Sequence, residues 1–285
     1  MFATVVVPLD GSVLAENALA AGTAVARRCG ARLLLVQVVR HAHEEPETAA
    51  ALSSLAAGVF GARAETRCLR GRDAAQAIAE LAATTPDALV CMSTHGRGGV
   101  GRALVGSVAE DVIRRHGGPV LLVGPSADIG AVPLDGRVLV CLDGSALAEQ
   151  VLPLARRWAE AFGMGLELVQ VVAPGAGGGH SPAGSDAEHG HSPAGSDAVG
   201  DHYLAGCGRP LHEAGVDVGW TVLRGQRAAA VIAEHVERHR PGLVALSTHG
   251  RAGLARLAAG SVAMTVVHHS PRPVLVHRPA GEPGA

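Results

Sequence analysis

Short apolar runs alternate with stretches of helical period along the chain. In its first part, strands are predicted near residues 3–8, 32–39, 64–69, 88–93 and 119–123, and helices near 13–29, 46–60, 73–84 and 105–116. The strand runs, among them VVV, LLLV and LLV, are apolar at successive positions. That is the pattern of strands covered by helices on both faces. Strand and helix in strict alternation predict βαβ units and a parallel sheet.

The pattern then starts again. VVVPLDGSVLAENAL (Val5–Leu19) returns as VLVCLDGSALAEQVL (Val138–Leu152), 133 residues later, and LLLVQVV returns as LELVQVV at the same offset. LRG at Leu69 and STHGR at Ser93 return at Leu223 and Ser247, at an offset of 154. The 21-residue difference places an insertion between Val172 and Leu223. Within it HSPAGSDA at His180 recurs at His191, in a Gly, Ser, Pro and Asp tract with too few apolar side chains to offset the entropy of ordering. The reading is two domains, 1–126 and 137–280, joined by a linker at 127–136, with a disordered insertion at about 174–200 in the second. His180, His189, His191 and His202 are of a metal-binding type, but the flexible tract explains them without a metal.

Composition removes several functions. A formal net charge of −2, from 24 basic and 26 acidic residues spread along the chain, gives no electrostatic footprint for nucleic acid or anionic lipid. No run reaches the roughly 18 apolar residues of a membrane span, and the start, MFATVVVPLD, reads as a strand and not as a leader. A soluble, cytoplasmic protein is expected. The five cysteines form no C-x-x-C pair and read as reduced and structural. All 24 basic residues are arginine, which excludes the Walker A loop, the kinase strand lysine and Schiff-base chemistry.

In an open α/β sheet, ligands bind beyond the carboxyl ends of the strands, where strand order reverses. After the first strand of each half stand Asp10-Gly11-Ser12 and Asp143-Gly144-Ser145; after the fourth stand Ser93-Thr94-His95-Gly96 and Ser247-Thr248-His249-Gly250. Nine residues beyond Gly96 and Gly250, Gly106-Ser107 and Gly260-Ser261 open a helical segment. A glycine-rich loop running into a helix N-terminus is a phosphate cradle. Ser107 and Ser261 either bond a phosphate or cap the helix. Asp10 and Asp143 either accept from a nucleoside or form an Asx turn. Arg97 and Arg251 either pair with phosphates or are solvated. The literal G-x-G-x-x-G at Gly96, Gly98 and Gly101 is not a dinucleotide fingerprint, because it follows the fourth strand and no acidic residue ends the next one.

At these residues both halves resemble the universal stress protein family, in particular its ATP-binding branch in tandem form. That branch carries G-x2-G-x9-G-[ST], and here serine (Ser93, Ser247) replaces the first glycine in both copies. The resemblance implies two doubly wound, five-stranded parallel-sheet domains, Rossmann-like and adenine nucleotide alpha hydrolase-like, packed as a pseudo-dimer through their fifth strands. It implies that Pro8, Leu9, Asp10 and Val38 line an adenosine pocket closed by Met92, Ser93, His95 and Gly96. Gly106, Ser107, Val108 and Ala109 would hold phosphates. The second set is Cys141, Leu142, Asp143, Val171, Leu246, Ser247, His249, Gly250, Gly260, Ser261, Val262 and Ala263.

The implied cofactor is ATP, with Mg²⁺ as its optional counter-ion, and the implied role is nucleotide-dependent regulation in stress response or dormancy. No catalytic residue is assigned, since no acidic metal pair, lysine or base is evident at the phosphate end. A slow ATPase or phosphotransferase is the alternative, and an assembly module with a decayed second site is a third. Homo-oligomers and a regulatory protein partner are left open.

Overall fold

The computed structural model describes residues 1–59, 63–94, 106–128, 134–174, 195–248 and 261–279. In the first half β1 (Thr4–Leu9), α1 (Val13–Cys29), β2 (Arg32–Val39), α2 (Glu45–Ala57), β3 (Arg63–Arg70), α3 (Ala74–Thr84), β4 (Ala88–Ser93), α4 (Ser107–Arg115) and β5 (Val120–Val123) follow the expected order. The second half runs β6 (Arg137–Leu142), α5 (Ala146–Glu149), α6 (Leu152–Phe162), β7 (Gly165–Val172), α7 (Gly195–Glu213), β8 (Val218–Arg224), α8 (Ala228–His239), β9 (Leu243–Ser247), α9 (Ser261–His269) and β10 (Val274–His277).

One local difference separates the copies at once. The sequence repeated as α1 is split into α5 and α6, because Pro153 stands where the first copy has Ala20. Its ring lacks the N–H and crowds the carbonyl four residues back, so the helix restarts with Pro153 in its first turn.

A second difference corrects an expectation. Helix α7 begins at Gly195, so residues 195–200 are helical although disorder was expected to about 200. Leu204 and Leu211 are buried, and Asp201 accepts from Trp220 Nε1 at 3.0 Å. These anchors hold a helix that then propagates toward its N-terminus at little cost per residue. The repeat at His180, His189 and the first residues of the repeat at His191 lie outside the described residues.

The sheet has ten strands in the order β3-β2-β1-β4-β5-β10-β9-β6-β7-β8. Each half is parallel throughout, and strand order reverses between β1 and β4 and between β6 and β9. The halves join where β5 and β10 pair antiparallel, Leu121 opposite Leu275. The implied packing through the fifth strands is therefore the observed one.

Two apolar clusters, one on each face, run through both halves. One gathers residues of α1, α2, α6 and α7, the other residues of α3, α4, α8 and α9. Leu33, Leu89, Leu121, Leu139 and Leu166 are among the largest side chains wholly removed from water, each contributing about 1.5–3 kcal/mol.

The halves also share contacts away from the seam. Phe2 meets the fully buried Trp158 edge-on, with ring centroids 5.9 Å apart, and Trp158 stacks on Phe162 at 4.7 Å. Arg28 on α1 donates to the Phe162 carbonyl at 2.9 Å.

Candidate functional site

The rim formed by the carboxyl ends of β2, β1 and β4 is where the expected residues of the first copy converge. Leu9 pairs with Gln37 in β2, which puts Val38 beside Asp10. The parallel register of β1 with β4 (Val6 opposite Val90) carries on to set Met92 and Ser93 beside Pro8 and Leu9. Pro8, Leu9 and Met92 are buried, Asp10 and Ser93 partly so. The second copy repeats this: Leu142 pairs with Gln170, next to Val171, and Cys141 pairs with Leu246, next to Ser247.

Asp10 Oδ1 accepts from the Ser12 amide at 3.0 Å and from its hydroxyl at 2.6 Å. Asp143 and Ser145 show the same two distances. Each serine hydroxyl then accepts from the third residue on, Ala15 or Ala148, at 3.2 Å and caps the next helix. The turn needs glycine between them, since Gly11 and Gly144 have φ of 79° and 86°. The Asx turn offered as the alternative to ligand contact is thus realised by one carboxylate oxygen in each copy.

The helix after β4 is held to the rim by its main chain. Gly106 donates to the Thr94 carbonyl at 2.7 Å, and Thr94 donates to the Val123 carbonyl at 3.1 Å. A methyl group at Gly106 would sit 2.8 Å from the Thr94 carbonyl oxygen, so the contact admits only glycine. Ser107 is the first residue inside α4, while Gly106 is the cap and supplies no side-chain bond. Simple capping by Ser107 is therefore not what the fold uses.

The amides of Ser107, Val108 and Ala109, which open α4 after Gly106, face the orphan-donor condition of any helix start. Val108 is exposed and Ala109 buried; the same holds of Val262 and Ala263 in α9, which begins at Ser261. His95, Gly96, Arg97, His249, Gly250, Arg251 and Gly260 lie outside the described residues.

Residues the sequence reading left out complete the arrangement. Thr94 and Thr248 are each 1% exposed, and Thr248 donates to the His277 carbonyl at 3.0 Å as Thr94 does to Val123. The repeated Ser-Thr-His-Gly quartet was the signal for both. Ser247 Oγ donates to the Ala148 carbonyl at 3.3 Å, tying β9 to the helix after β6.

The cysteines are free. Burial pushes the Cys91 thiol up to about 12, and burial with the nearby Glu167 carboxylate does the same to Cys141. Neither is a ready nucleophile.

Two cavities among the described residues lie elsewhere. One of about 860 Å³ runs between α6 and α7, and one of about 850 Å³ between α8 and α9. Both are open grooves between helix flanks, and volume alone does not make either the site; the converging polar groups are at the rim. Among the described residues no helix is long and apolar enough to cross a membrane.

Comparison with known proteins agrees with this architecture. The model of the universal stress protein family matches residues 1–124 and 136–278. A universal stress protein of Mycobacterium tuberculosis is 30% identical over 199 residues, 67% of this chain and 61% of that protein. The matched region thus spans less than two thirds of the mycobacterial relative. One from Thermus aquaticus is 36% identical over 140 residues, 43% of this chain and 99% of its own length. Among solved structures, a universal stress protein from Archaeoglobus fulgidus superposes with a TM-score of 0.69 at 19% identity, covering 98% of this chain and 97% of its own. A Pseudomonas aeruginosa protein of unknown function gives 0.65 at 16% identity, covering 98% and 93%. With both halves matched by the family model, the chain belongs to the universal stress protein family.

Proposed function

We propose that the chain binds ATP at the rim of its first half, with a second, matching site in the other half, and acts in the cytoplasm as a nucleotide-dependent regulatory protein in stress response or dormancy. One observation carries this reading. The start of α4 is fixed to the end of β4 through Gly106 and Thr94 at 2.7 Å, beside Asp10 at the strand-order reversal. A row of helix-start amides held next to a polar strand end suits an anion attached to a polar ring system.

The surroundings favour binding over turnover. The chain has no lysine, and among the described residues no three of His, Cys, Asp and Glu cluster as metal ligands. Mg²⁺ would accompany the nucleotide, held chiefly by its phosphates. Occupancy of the rim would change the protein's surface, and a partner would read that change.

The test is mass spectrometry of nucleotide released from purified protein, with calorimetric ATP titration of wild type, Gly106→Val and Gly260→Val. Bound adenine nucleotide, with one site lost per substitution, is the expected result. A wild type that neither retains nor binds adenine nucleotide refutes it.

A further inference from the structure

The second half carries a charged side chain that its own core does not use. Arg272 lies between α9 and β10, is 8% exposed, and its Nε has no hydrogen-bond partner. Among the described residues it enters no ion pair. Its main chain, by contrast, is fixed: the Arg272 amide donates to Ser270 Oγ at 3.1 Å, and that hydroxyl donates to the Arg272 carbonyl at 2.8 Å. A guanidinium keeps its charge throughout and offers five donors. Its Nε is shut off from water with no acceptor, and a charge held so close to the interior without an anion is disfavoured. Such a position points to an anionic partner that no described residue supplies.

Strand register places Arg272 relative to the sheet. Val274 pairs with Leu122 and Leu275 with Leu121, which sets Arg272 across from Gly124, at the carboxyl end of β5. That end belongs to the rim of the first half. Thr94 bonds the Val123 carbonyl, and Gly106 bonds the Thr94 carbonyl, so main-chain contacts lead from the seam to the start of α4. Two strand spacings, about 10 Å, separate the line of β10 from that of β4. The halves close tightly here, since a methyl group at Gly124 would run into the Val267 carbonyl on α9.

At the other end of the seam the equivalent position, 154 residues earlier, is Gly118. There a cavity of about 270 Å³ remains, lined by Gly117, Gly118, Pro119, Gln150, Arg157 and His277. The rim of the second half receives no cation from the first at that position.

We infer that Arg272 is the phosphate-binding cation of the first half's site, lent across the seam by the second half, and that this site is selective for nucleoside polyphosphates. The inference rests on the nucleotide reading above. It makes the second half a working part of the first site, and the two sites unequal by construction.

The test is calorimetric titration of the full chain with ATP, AMP and adenosine, in wild type, Arg272→Gln and Arg272→Met. Both substitutions should weaken one of the ATP sites by about tenfold or more while adenosine stays within about twofold, as removal of one charge-assisted contact requires. Arg272→Met should melt at or above the wild-type temperature, because an unpaired buried charge is gone. Unchanged ATP binding, or equal weakening of ATP and adenosine, overturns the assignment. So does an Arg272→Met protein that melts well below wild type, which would make the guanidinium structural. If wild type binds none of the three, the nucleotide reading falls, and inorganic pyrophosphate decides the anion site by itself. A rise in melting temperature that Arg272→Met abolishes upholds the site; no rise in wild type overturns it.

Discussion

In the first half, Leu34 on β2 and Leu81 on α3 are both buried in the same apolar cluster. In the second, at offsets of 133 and 154, their places are taken by Glu167 on β7 and His235 on α8. His235 Nε2 and Glu167 Oε1 are 3.0 Å apart, and Thr221 Oγ1 donates to the same oxygen at 3.2 Å. His235 is 4% exposed and stacks on His239. One backbone thus accepts either an oily pair or a hydrogen-bonded one. The lesson is that strand order and helix placement follow from the pattern of the whole sheet, while a single contact between sheet and helix is free to change chemistry if both partners change together.

Breaking that comparison should give the largest effect. His235→Leu alone strands the Glu167 carboxylate against an apolar helix and should cost about 3 kcal/mol in urea unfolding. Glu167→Leu with His235→Leu together copies the first half and should recover the loss, ending within about 1 kcal/mol of wild type or above it. A double variant as unstable as the single one would show that the polar pair organises the second half in a way Leu34 and Leu81 do not organise the first.

The ends of the seam sharpen the same contrast. His116 is 5% exposed with both ring nitrogens unpartnered, whereas its counterpart Ser270 is hydrogen-bonded. Burial pushes the His116 pKa below its ordinary value of 6.5. The unfolded chain therefore takes up this proton first as pH falls. Stability should drop from about pH 6.5 downward, by at most about 1.4 kcal/mol per pH unit for this residue. His116→Leu should flatten that part of the curve; an unchanged difference between pH 7 and pH 5 would refute the assignment.

The smallest effect is expected at the cross-helix contact. In the first half Asp73 caps α3 through the Gln76 amide at 3.1 Å and pairs with Arg115 on α4 at 3.1 Å. The second half has Arg227 and His269 at those places, and Arg227 makes no capping bond. Arg227→Asp with His269→Arg should transplant the arrangement and raise stability by about 1 kcal/mol, most of it from the cap. Thermal unfolding that moves downward would argue that the open groove beside α8 is needed as it stands.

The sequence was informative wherever a local rule governs the outcome. The five strands and four helices of the first half emerged within a few residues, because apolar runs and glycine turns encode them locally. The rim was legible too, since Asp10-Gly11-Ser12 and Ser93-Thr94 mark strand ends and occur twice. What the sequence hid depends on partners distant along the chain. Thr94 matters through Val123 and Gly106, Glu167 through His235, and Arg272 through a seam whose strands lie more than 150 residues apart in sequence. The split of the sixth helix from the fifth turned on Pro153, a single residue inside an otherwise faithful repeat.

The seam between β5 and β10 has one more consequence, which concerns dilution. Because both strands sit on one chain, the effective concentration of each for the other is fixed by the connecting segment and not by how much protein is present. Each half spends its fifth-strand edge on its sibling, and neither has that edge left for a second molecule. The edges still open are β3, carrying Arg63, Glu65, Arg67 and Arg70, and β8, ending in Arg224. Charges of this kind discourage strand-to-strand association between molecules. The chain carries its own dimer interface and keeps it at any concentration.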